Sequence, residues 1–148
     1  MAEASLVIEP LTDKMISAGT ELLARLKALK VEVVAAFWHF TSDAGEWRLA
    51  LATPSVDSEG PKELYGRIWS AVFEWETAPP SGLDFQRVVV LSPSDSLVRA
   101  LANANKLIAL HERLMFNTRL GGEYFEGVYI YFISRSVKPL PGSYRVSR

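Results

Sequence analysis

The chain contains no cysteine among its 148 residues. Without thiols there is no disulfide framework, no thiolate metal site and no cysteine nucleophile, so stability has to come from packing. Histidine is nearly as scarce, with only His39 and His111. His111 and Glu112 do not extend to HExxH, because position 115 is Met. The phosphate-cradling GxxxxGK[ST], the dinucleotide GxGxxG and the GxSxG nucleophile elbow are all missing. No run approaches the ~20 apolar residues of a membrane span. Residues 1–10 also lack the basic start and apolar stretch of a signal peptide. These absences predict a soluble cytoplasmic protein with no cofactor, no metal and no membrane partner.

What remains is an ordinary globular composition, 49% apolar and 22% charged. A chain of 148 residues has the size of one domain with its own core. The net charge of −1 hides an asymmetry, because Arg135, Lys138, Arg145 and Arg148 fall in the last fourteen residues with no acid among them. The remaining body carries twelve basic against seventeen acidic side chains, or −5. An acidic body works against nucleic-acid binding, which needs a basic face on the folded domain. The expectation is one globular domain over 1–134 and a basic, flexible tail over 135–148, suited to a solvated terminus or a subunit contact.

Periodicity divides the chain into elements. Met15, Ala18, Leu22, Leu26 and Leu29 recur every three or four residues, predicting an amphipathic helix from Thr12 to Lys30 with Thr12 as its cap. Val31 to Thr41 and Glu46 to Thr53 are rich in β-formers around the short polar loop Ser42 to Gly45, which predicts a hairpin. With that loop length, Thr41 opposes Glu46. Phe40, Trp38 and Ala36 then face Trp47, Leu49 and Leu51 on a core side, while His39, Phe37 and Ala35 face Arg48, Ala50 and Ala52 on the other. Small residues on that second side leave room for a helix, a second subunit or a shallow groove.

A second helix is predicted from Pro61 to about Glu76, with Leu64, Ile68 and Val72 beside Tyr65, Trp69 and Phe73. Those three aromatics suit core packing or a stacking platform. Arg87 to Leu91 reads as a central strand apolar on both sides. Ser92 and Pro93 open a third helix, with Asp95 as the capping-box partner of Ser92 and a boundary between Lys106 and Arg113. Strands near Leu114 to Leu120 and Tyr124 to Ser134 join at Gly121 and Gly122. The predicted class is α+β: a mixed, mostly antiparallel sheet of about five strands with three helices, in the order α-β-β-α-β-α-β-β.

The candidate chemistry is confined to few residues. Asp57 and Glu59, followed by Lys62, have the composition of a metal-dependent nuclease site, in which carboxylates hold Mg²⁺ and a lysine steadies phosphate. Their crowding into one loop also suits acids placed near a positive helix start. His39 facing Arg48 suits a general base whose pKa is lowered by a neighbouring cation, and equally a strand-end histidine capping apolar pairs. The apolar run from Val128 to Ile133 predicts contact with another layer or subunit.

Ala36 to Trp38, Glu46 to Leu49, Ala52 to Pro54, Val56 and Asp57, Gly60 and Pro61, and Tyr65 together resemble an uncharacterised family of small bacterial proteins with no assigned activity. The resemblance implies a bacterial, soluble origin and brings no cofactor or catalytic residue. The leading expectation is therefore a non-enzymatic protein-interaction module that forms a homodimer. Its rival is a small hydrolase or metal-dependent nuclease built from His39, Arg48, Asp57 and Glu59.

Overall fold

A computed structural model describes residues 9–73 and 85–138. The elements are α1 (Asp13–Ala28), β1 (Ala35–Thr41), β2 (Glu46–Ala52), α2 (Ser55–Glu59), α3 (Pro61–Phe73), β3 (Val88–Leu91), α4 (Ser96–Asn105), β4 (Arg113–Leu120) and β5 (Glu123–Ile133), with a 3-10 turn at Phe85–Arg87. The architecture is α+β around a five-stranded sheet ordered β3-β2-β1-β5-β4. Among the described residues β2 and β3 run parallel, and the other three pairings are antiparallel.

The hairpin has the register dictated by its loop: Thr41 opposes Glu46, Phe40 Trp47, Trp38 Leu49 and Ala36 Leu51. That register divides the side chains between two faces. On the first, Ala36, Trp38, Phe40, Trp47, Leu49 and Leu51 meet Met15, Leu22 and Leu26 of α1 and Leu64 and Ile68 of α3. On the second, Phe37, Ala50, Ala52, Val128 and Ile130 meet Val98, Leu101 and Ala104 of α4. The small residues of the second face thus seat a helix. Burying a full Leu or Phe side chain stabilises by roughly 1.5–3 kcal/mol, so these two interlayer contacts dominate the fold's energetics.

Four expectations need correction. A fourth helix, α2, occupies Ser55–Glu59, because Pro54 in helical conformation starts a single turn that ends at Gly60 with φ 89°. The Val88–Leu91 strand lies at the sheet edge, not the centre. The Tyr65 hydroxyl accepts from Val90 N at 3.0 Å, giving one edge amide a side-chain partner. Helix α4 starts at Ser96 with Asp95 as its cap, the Asp95 carboxylate accepting from Leu97 N at 2.9 Å. Finally, Trp69 is 42% exposed and so is not core. The Val72 and Phe73 side chains, the stretch of the second helix beyond Phe73, Arg145 and Arg148 lie outside the described residues.

Thr12 caps α1 by accepting from Met15 N at 3.1 Å. The β4–β5 turn uses Gly121 at φ 60° and Gly122 at φ 91°, and a side chain on Gly121 would collide with the Ala100 carbonyl of α4. Among the described residues no helix is long and apolar enough to cross a membrane.

Candidate functional site

The four candidate residues fall into two groups at opposite ends of the sheet. His39 and Arg48 are cross-strand partners near the hairpin loop. Asp57 follows β2, and its Oδ2 accepts from Ser92 Oγ at 3.1 Å, just beyond β3. Arg48 and the end of β2 at Ala52 are separated by four residues, about 13 Å at the usual strand rise. The structure does not bring the His39 and Arg48 pair to the Asp57 turn.

Each candidate also has a local partner. His39 sits against Phe125 with ring centroids 5.4 Å apart and against Phe37 at 6.4 Å. Burial lowers its pKa below the ordinary 6.5, opposed by the Glu126 carboxylate. The cause is therefore desolvation and not a neighbouring cation, because the Arg48 guanidinium pairs with Glu46 at 3.1 Å. Glu59 pairs with Arg67 at 2.8 Å. At the Asp57 turn, the Ser92 and Ser94 hydroxyls lie 2.8 Å apart, and Ser92 Oγ also accepts from Ser94 N. This knot joins the carboxyl ends of the parallel strands. Among the described residues no group of three or more His, Asp or Glu side chains is placed to hold a metal.

A polar centre that sequence reading missed lies at the hairpin end. Glu9 Oε1 accepts from Trp47 N at 3.1 Å, and the Glu9 carbonyl accepts from Trp47 Nε1 at 2.6 Å. Arg87 Nη1 donates to both Glu9 oxygens at 2.9 and 3.1 Å, and its Nε lies 3.7 Å from Glu46. The result ties the chain before α1 to the start of β3. Its members stand 38 and 78 residues apart, so no local spacing announces it.

Apart from Leu107 just past the end of α4, which is 83% exposed, large apolar side chains remain half-covered on the outer hairpin, β4–β5. Leu114 opposes Tyr129 and Phe116 opposes Gly127, which places both side chains on the first face of the sheet. There α1 and α3 cover the other strands, but Leu114 and Phe116 each remain 46% exposed, and Tyr124 of the same hairpin is 49% exposed. Phe116 meets the edge of Trp47 at 6.1 Å between centroids. Arg119 lies 6.0 Å above the Tyr124 ring, and the Tyr124 hydroxyl donates to Asn117 Oδ1 at 2.8 Å. Two features interrupt this edge as a template for strand addition: Asn117 at φ 47° and the flanking Arg113 and Arg119.

No protein family matches the chain, and comparison with the curated proteins and with the solved structures gives no match.

Proposed function

We propose that the chain acts by binding and not by catalysis, as a protein-interaction module that pairs with a second copy of itself through the outer hairpin. The observation that carries this reading is the half-exposed pair Leu114 and Phe116 on a sheet face whose other strands are covered by helices. Large contiguous apolar patches are uncommon on monomers and mark association surfaces. Because Asn117 and the two arginines discourage extension of the sheet, the contact is face to face: Leu114 and Phe116 of one copy on the same residues of the other, about a two-fold axis.

Size-exclusion chromatography with light scattering tests it. The expected outcome is a dimer for the full chain and a monomer for Phe116→Glu, since a carboxylate buried without a partner opposes association strongly. A monomeric full chain at about 100 μM, where even a micromolar dimer would be populated, overturns the reading.

A further inference from the structure

Arg135, the first of the basic C-terminal residues and unused by the dimer reading, lines a cavity on the opposite side of the sheet. Arg135 and Lys106 line the same ≈ 430 Å³ pocket between the end of α4 and the chain leaving β5. This lies within the size range of small-molecule sites. Its apolar floor is Ala102, Ile133 and Val137.

Every polar side chain that lines this pocket can donate. Among the described residues, neither the Lys106 ammonium nor the Arg135 guanidinium has an ion-pair partner. The Asn105 side-chain carbonyl accepts from Leu110 N at 3.3 Å, which leaves its NH₂ group as the available half. Ser134 Oγ already accepts from Ser136 N at 3.1 Å. Among the described residues no carboxylate lines the pocket. The flanking sequence is equally one-sided: no acid occurs between Ser96 and His111 or between Gly127 and Arg148, although the chain as a whole is slightly acidic. Arg99 extends the basic side by donating from Nε to the Lys138 carbonyl at 3.3 Å, which holds the exit segment against α4.

Lys106 at the carbonyl end of α4 has a structural reason to be there, since a cation complements the helix dipole. Arg135 has no such reason, and it brings a second positive charge to the lining of the same cavity. A guanidinium beside an ammonium, with amide and hydroxyl donors, matches the oxygens of a phosphate group, and the apolar floor accommodates the carbon skeleton attached to it. We propose that this pocket binds the phosphate of a small phosphomonoester, independently of the outer hairpin.

Titration of the ¹⁵N-labelled full chain with phenyl phosphate is the test. The expected result is saturable amide shifts at Lys106, Ser134 and Arg135, with no comparable response to phenol. Affinity should fall about tenfold in each of Lys106→Ala and Arg135→Ala, as charge-assisted bonds are lost. Both positions are exposed, so the variants should retain the parent spectrum elsewhere. The proposal is overturned by no shifts at about 10 mM phenyl phosphate, or by an affinity indifferent to both substitutions. Displacement of phenyl phosphate by a short single-stranded RNA with steeply salt-dependent affinity also overturns it, in favour of a nucleic-acid surface.

Discussion

The indole Nε1 of Trp38 donates to the hydroxyl of Tyr131 at 2.9 Å, and that hydroxyl donates to the Ile16 carbonyl of α1 at 2.6 Å. The geometry depends on an irregularity in β5. Ala36 pairs with Phe132 and Phe37 with Ile130, leaving Tyr131 as the extra residue of a bulge. The bulge puts Tyr131 in the first-face core under α1. One phenol thereby fastens the first helix to the central strand and supplies the buried indole with its acceptor.

Tyr131→Phe removes the acceptor and leaves the Trp38 N–H buried without a partner. The expected loss is about 1–3 kcal/mol, read as a lower urea midpoint at unchanged slope. Alkaline titration gives an independent readout. Burial raises the Tyr131 pKa to about 12 from 10.0, so its contribution is complete below pH 10 and is lost as pH rises towards 12. Unfolding midpoints of the parent should fall more steeply across that window than those of Tyr131→Phe; parallel curves would show that the phenol is not the titrating group.

The same contact explains Gly19 in the middle of α1. A Cβ at that position would collide with the Tyr131 hydroxyl and lie 2.9 Å from its Cζ. Gly19→Ala, which ordinarily favours an exposed helix by up to about 1 kcal/mol, should here destabilise. In the Tyr131→Phe background the penalty should shrink but not vanish, since the ring carbon remains. Full additivity in a double-mutant cycle would contradict this account.

His39 contributes on the acid side. Its pKa is lowered by burial, so folding binds fewer protons than the unfolded chain does. The neutral side chain's contribution is therefore intact above 6.5 and lost as pH falls through the folded value. His39→Gln should flatten the decline in stability below pH 6.5. An unchanged slope, measured by urea unfolding at successive pH values, would assign that decline to other groups.

The parts of the fold legible in sequence are those set by short spacings. Four loop residues between two apolar stripes define the hairpin register, and Thr12 sits three residues before the amide it caps. The edge position of β3 was not legible. Val88 and Val90 join the first-face core and Leu91 packs on the second, so an apolar run covered on both sides reads as a central strand wherever it lies. The α4 start was misplaced at Ser92 because Ser92 and Asp95 both resemble caps; the distant Asp57 takes the Ser92 hydroxyl, and Asp95 reaches Leu97 N. The exposure of Leu114 and Phe116 depends on which strands α1 and α3 cover, a tertiary fact with no local signature. The same holds for the meeting of Lys106 and Arg135, 29 residues apart.

The end of α1 offers a gain in stability. Val31 N donates to the Leu26 carbonyl at 2.9 Å and Lys30 N to the Lys27 carbonyl at 3.0 Å, the paired bonds of a Schellman cap. Val31 and Leu26 lie together in the core, completing the motif's apolar contact. Lys30 occupies the left-handed position at φ 64°, where a Cβ is strained and glycine is the usual residue. Its side chain is exposed, so little packing is lost on replacement. Lys30→Gly relieves the strain but adds freedom to the unfolded chain, and the balance should favour the variant by about 0.5–1 kcal/mol. Lys30→Ala keeps the Cβ and should give no such gain. Equal midpoints for the two variants in urea unfolding would show that the turn stores no strain.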